Sequence, residues 1–217
     1  MTRSLVASPA GDVSLMVDGP GDPSQLLVLA HGAGAPMDSD FMDFFAGALT
    51  TDRRAVARFN FAYMEQGRRS PASPKASEET YAAVLQHLRT ELSPPKLFIG
   101  GKSYGGRMAS HLAAHGAEID GLVFLGYPLH APGRPENIRD EHLKDIAAPM
   151  LFVEGTRDPF CPLETLEMVR RKLTRTDLIV VEDGDHSLKV RKAGGRSTEE
   201  AWAEAATRIA EWLDAVP

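Results

Sequence analysis

The sequence predicts a three-layer α/β sandwich: a mostly parallel sheet with helices on both faces. Three observations carry this. Short apolar runs recur at residues 26–30, 55–59, 97–99, 122–125, 150–153 and 178–181. Stripes with helical spacing lie between them. The runs are nearly continuous in apolar character rather than alternating, as parallel strands are when crossover helices cover both faces of a sheet.

Taken in order, residues 5–7 and 13–17 are expected to add an antiparallel hairpin at one edge. The strand at 26–30 leads to a stripe of Phe41, Phe44, Phe45, Ala48 and Leu49, and the strand at 55–59 to one of Tyr81, Val84, Leu85 and Leu88. After the strand at 97–99 come Met108, Ala109, Leu112 and Ala113. A further helix is expected to begin near Pro162. The last helix carries Trp202, Ala205, Ile209, Trp212, Leu213 and Val216 on one face, with Ser197 and Glu200 at capping-box spacing. Residues 60–77, with Pro71 and Pro74, and 126–148, with Pro128, Pro132 and Pro135, show no such pattern. They leave the carboxyl ends of strands, where ligands bind in open α/β sheets, so both are expected to border the site. Neither is long enough to form a separate cap domain.

At 217 residues the chain suits one substantial core, and a single domain spanning residues 1–217 is expected. With 30 acidic against 24 basic residues, the net charge of −6 disfavours nonspecific attraction to nucleic acid or to anionic membranes. No apolar run approaches the roughly 20 residues that span a bilayer, and the first residues lack the apolar stretch of a signal peptide. A cytoplasmic location is the expectation. Cys161 is the only cysteine, which excludes an internal disulfide and a multi-thiolate metal site; no cofactor or metal is expected.

The chemistry centres on Gly101-Lys102-Ser103-Tyr104-Gly105, between a strand and a helix. Glycines at those positions permit a sharp turn that leaves the central hydroxyl exposed. A serine hydroxyl is a poor nucleophile at neutral pH; it needs a base to take its proton and a third group to orient the base. Asp158 follows the strand at 150–153 and His186 follows the strand at 178–181, so the order is serine, acid, histidine. Glu154, Asp183 and Asp185 compete for the acid role, but Glu154 sits at a strand end and Asp185 adjoins His186 in sequence, a poor position from which to bridge to its imidazole.

At these residues the chain resembles the α/β-hydrolase superfamily, which uses that order with acid and histidine on loops after late strands. His31-Gly32-Ala33-Gly34, directly after the strand at 26–30, stands where that superfamily places an oxyanion loop. The resemblance implies that the backbone N–H groups of Ala33 and Tyr104 stabilise a tetrahedral intermediate. Small, uncapped dienelactone-hydrolase-like proteins are the nearest likeness, through Arg58-Phe59-Asn60-Phe61, Gly100-Gly101-Lys102-Ser103, Gly155-Thr156-Arg157-Asp158-Pro159-Phe160 and Asp185-His186-Ser187-Leu188. Dienelactone hydrolases proper carry a cysteine where this chain has Ser103. The resemblance implies an α/β-hydrolase fold without a large cap, and a serine hydrolase that cleaves a small ester or thioester through an acyl-enzyme on Ser103. A hydrolase-like domain in a chromatin-modifying complex subunit shows the alternative, an interaction module with little or no turnover.

Other residues weigh less. Gly101-Lys102-Ser103 does not end a P-loop, because the position five before Gly101 is Lys96 and not glycine. His31 is expected to be a backbone-bonded loop residue, and Cys161 a buried packing residue. Tyr63, Tyr127 and His130 follow strand ends and are candidates to line the pocket. Arg68 and Arg69, with Lys75, are candidates to attract an anionic substrate, against the plainer role of solvated loop charges.

Overall fold

The computed structural model describes residues 2–71 and 73–217. Eight strands form one sheet in the order β1-β2-β4-β3-β5-β6-β7-β8. They are β1 (Thr2–Val6), β2 (Val13–Asp18), β3 (Gln25–Ala30), β4 (Arg54–Phe59), β5 (Lys96–Lys102), β6 (Gly121–Leu125), β7 (Met150–Gly155) and β8 (Thr176–Val181). β2 pairs antiparallel with both β1 and β4, and every pairing from β4 through β3 to β8 is parallel.

Alternation along the strands divides the core in two. Leu26, Val28, Ala30, Phe124 and Phe152 face one side, where they meet α3 (Pro74–Leu92), α4 (Tyr104–Ala114) and α5 (Leu163–Arg170). Leu27, Leu29, Val123, Leu125 and Val153 face the other, against α1 (Asp40–Leu49) and α6 (Thr198–Ala215). Strands buried on both faces are apolar at successive positions, which is why the sequence runs do not alternate. The Ser197 and Glu200 capping box at α6 is formed, with Glu200 N donating to Ser197 Oγ at 3.1 Å and Ser197 N to Glu200 Oε2 at 2.7 Å.

Three local expectations are corrected. The first strand begins at Thr2 instead of residue 5: Thr2–Leu5 are exposed on the edge strand, so hydropathy carries no signal for them. Residues 60–77 hold a one-turn helix, α2 (Ala62–Glu65), and the start of α3, with Pro74 at the first helical position where its missing N–H costs nothing. Residues 126–148 contain a 3-10 turn at Glu141–Asp145, which packs on α4 through His142: its ring stacks on that of His111 at 4.0 Å. Among the described residues no helix is long and apolar enough to cross a membrane.

Candidate active site

β5 ends in the turn that carries Ser103, with φ 49° and ψ −112°. A non-glycine residue at positive φ is strained, and the surroundings enforce it here. Ser103 N donates to Leu125 O at 3.0 Å, and Arg107 N to Ser103 O at 3.0 Å, so the residue is tied both to β6 and to the first turn of α4. The flanking glycines are required sterically. A Cβ on Gly101, whose φ is +150°, would lie 2.2 Å from Ala30 O, and one on Gly105 would lie at the same distance from the same atom.

The loop after β8 brings His186 over this turn. Ser103 Oγ lies 2.8 Å from His186 Nε2, and His186 Nδ1 lies 2.6 Å from Asp158 Oδ2. Asp158, on the loop after β7, is fully shielded at its side chain, and its other oxygen accepts from Phe160 N at 2.8 Å. With Nδ1–H donating to the carboxylate, Nε2 is left to accept the serine proton. The histidine loop is held from several sides. Asp185 Oδ1 accepts from Ser187 N at 2.8 Å and Lys189 N at 3.0 Å, Trp202 Nε1 donates to Ser187 O at 3.0 Å, and Lys102 Nζ donates to His186 O.

The other candidate acids are engaged elsewhere. Asp185 braces its own loop, and Asp183 pairs with Arg191 at 2.5 Å and Arg157 at 2.9 Å; the hydrogen bonds from Arg191, above all, lower its carboxyl to about 2. Glu154 is fully buried and accepts from Tyr127 N at 2.6 Å; burial, with Asp158 nearby, raises its pKa well above the usual carboxylate range. Cys161 is buried against it, and its thiol pKa is pushed up by desolvation. His31 accepts from Phe61 N at Nε2 (3.0 Å) and donates from Nδ1 to Gly32 O (2.6 Å). Burial lowers its pKa to about 4, so this neutral imidazole props up the Gly32–Ala33 loop.

A cavity of about 700 Å³ opens beside Ser103 and His186, within the range of small-molecule sites. Gly32, Ala33, Gly34 and Ala35 form one wall; Phe41 and Met42 from α1, Trp202 from α6, and Phe160 form the apolar remainder. The N-terminal turns of α1 and α6 thus flank the serine. Ala33 is on the wall. Tyr104 occupies the first position of α4, where a backbone N–H has no intrahelical acceptor.

The expected lining residues lie elsewhere. Tyr63 is buried, and its hydroxyl donates to Ala33 O at 3.2 Å, bracing the loop from behind the cavity wall. Arg68 borders a separate cleft of about 140 Å³, and Arg69 is exposed to solvent. Tyr127 is fully buried in the core with Ser110 and His142 about its hydroxyl, at 3.1 and 3.3 Å. His130 is 5% exposed and bonds at Nδ1 to Ala131 O at 2.9 Å. The sequence reading missed Phe41, Met42, Trp202 and Phe160 as lining residues. A usable signal existed for α1 and α6: a helix that follows a parallel strand starts at the carboxyl edge of the sheet, so its first turn faces Ser103.

A family model described as an alpha/beta hydrolase domain matches residues 23–214. The chain belongs to the alpha/beta hydrolase family. Solved structures with this fold include an alpha-beta serine hydrolase homologue from Coxiella burnetii, 19% identical, covering 98% of this chain and 97% of that one, TM-score 0.78. An alpha/beta serine hydrolase without a lid from Xanthomonas campestris is 21% identical, covering 100% and 96%, TM-score 0.76. A dienelactone hydrolase from Anabaena variabilis is 17% identical, covering 98% and 95%, TM-score 0.77. The fold is the small alpha/beta hydrolase fold without a lid.

Proposed function

We propose that the protein is a serine hydrolase that cleaves a small ester or thioester by acyl transfer through Ser103. The observation that carries this is the continuous chain from Ser103 Oγ to His186 Nε2 at 2.8 Å and from His186 Nδ1 to Asp158 Oδ2 at 2.6 Å, beside a cavity that takes a small molecule. His186 accepts the serine proton as Oγ attacks the acyl carbonyl, and the resulting imidazolium is stabilised by Asp158. The oxyanion meets the N–H groups of Ala33 and Tyr104 and the positive end of α4. His186 returns its proton to the leaving alkoxide or thiolate; water, deprotonated by the same imidazole, then releases the acid from Ser103. The scheme needs no cofactor.

The size and lining of the cavity support a modest acyl group held against Phe41, Met42 and Trp202. A fluorophosphonate probe tests the reading. Stoichiometric labelling of the wild-type protein, absent in Ser103→Ala, is expected, along with turnover on a panel of p-nitrophenyl esters and acyl thioesters. Folded wild-type protein that neither labels nor turns over any member of the panel overturns the reading in favour of an interaction module.

A further inference from the structure

Lys102 closes β5 immediately before Ser103, and it is only 9% exposed. An ammonium removed from water is costly unless its interactions compensate. Its Nζ donates to the backbone carbonyl of His186 and stands 5.7 Å from the centroid of the Phe41 ring on α1. A Cβ on Gly32 would come within 3.3 Å of Lys102 Cγ, and one on Gly126 within 3.1 Å of Nζ. One side chain therefore bonds the histidine loop and runs close beside the Gly32 loop and the turn after β6. The acidic groups around it are Asp158 and Glu154, from β7 and the loop that follows, and Asp185 from the histidine loop. Burial raises the Glu154 carboxyl well above the usual carboxylate range, and Asp158, Glu154 and Asp185 are the carboxyl groups that face the ammonium.

The acyl-transfer scheme makes no use of this group. We infer that Lys102 is a positioning residue for His186: it holds the His186 carbonyl and so sets where the imidazole stands over Ser103. The catalytic half of this inference rests on Ser103 being the nucleophile. Burial lowers the Lys102 ammonium from 10.5 to about 8. Above that pH the neutral amine is a weaker donor to the carbonyl than the ammonium, because charge-assisted bonds are the stronger ones. The grip on the histidine loop therefore loosens as the ammonium loses its proton.

The test pairs Lys102→Met, nearly equal in length and uncharged, with the wild type, across pH 6 to 10 on p-nitrophenyl acetate. Wild-type kcat is expected to fall several-fold as pH passes about 8. Lys102→Met is expected to lose about 10- to 100-fold in kcat at pH 7, the range for losing one hydrogen bond to a charged group, with KM within twofold and no descent near pH 8. Wild-type kcat in the variant overturns the inference, as does a variant uniformly slower at every pH with the descent intact. A second measurement does not depend on turnover or on the variant's folding. In the Ser103→Ala protein, the 15N signals of the His186 imidazole are expected to inflect with the Lys102 titration near pH 8, and their indifference to it overturns the inference. If those signals inflect and wild-type protein turns over no ester, the nucleophile reading falls and the hold of Lys102 on His186 stands.

Discussion

Replacing Gly105 by alanine adds one methyl group where the structure has no room for it. Gly105 is the second residue of α4, and its Cβ would stand 2.2 Å from Ala30 O, 2.5 Å from Ala30 C and 2.7 Å from His31 O. All three are backbone atoms at the end of β3, a strand laddered to β4 on one side and β5 on the other, so they cannot swing away as a side-chain tip would. α4 has to withdraw by about 1 Å to restore an ordinary contact. Two energies compete. Alanine is favoured over glycine within a helix by about 1 kcal/mol, whereas overpacking a core contact costs about 1–3 kcal/mol. An overlap against fixed backbone belongs at the upper end, so the net loss of stability is about 1–2 kcal/mol. The effect on activity is larger, because α4 carries Tyr104 N–H and follows directly on Ser103. A misplacement of about 1 Å costs on the order of 100-fold in rate. Gly47→Ala in α1 is the control: nothing lies within 4 Å of its added Cβ, so the same substitution gains up to about 1 kcal/mol and leaves turnover alone. Guanidinium denaturation midpoints and kcat/KM on one ester measure both. Gly105→Ala as active as wild type, with its midpoint raised as in Gly47→Ala, would refute the steric argument.

Further outcomes follow from buried polar groups. The Tyr81 hydroxyl, fully buried between β3 and β5, lies 2.7 Å from Val28 O and 2.8 Å from Gly100 O and accepts from Gly100 N at 3.0 Å; Tyr81→Phe should cost about 1–3 kcal/mol in chemical denaturation, and an unchanged midpoint counts against those bonds. His31, His111 and His142 are all lowered from 6.5 to about 4, desolvation being the first cause in each. The unfolded chain therefore binds more imidazole protons between those values, and stability should fall as pH drops from about 6.5 toward 4. Glu154 and Glu78, both raised, oppose this below neutrality, but three imidazoles outweigh them. Urea midpoints at pH 7 and pH 5 check the sign, and a flat or rising midpoint toward acid would contradict it.

The parallel sheet was legible because each buried strand is apolar on both faces, a pattern that survives without any knowledge of pairing. The edge was less so: Thr2, Arg3, Ser4 and Leu5 are exposed, and β1 is held by its ladder to β2, which composition does not encode. The start of α3 was hidden by Pro74, a residue that reads as a breaker in mid-helix and as an opener at the first position.

The candidate site divides along the same physical line. Ser103, Asp158 and His186 were recognisable because each must sit on a loop at the carboxyl end of a strand, and strand ends can be read along the chain. Which side chains wall the cavity depends on how far each helix is rotated and where each loop turns back, and that is set by packing among residues distant in sequence. Tyr63 and Tyr127 follow strand ends as a lining residue would, yet both are drawn inward, Tyr63 to Ala33 O and Tyr127 to Ser110 and His142. Phe41 and Trp202 read as core stripes, and they are core: their rings meet at 5.2 Å in a T-shaped contact. They also reach the cavity, because that contact lies at the N-terminal ends of α1 and α6. The apolar wall of the site is thus the open end of the hydrophobic core, and a truncation there acts on both: Trp202→Ala removes packing from α1 and the indole bond to Ser187 O at 3.0 Å in the same step that it widens the cavity on its apolar side.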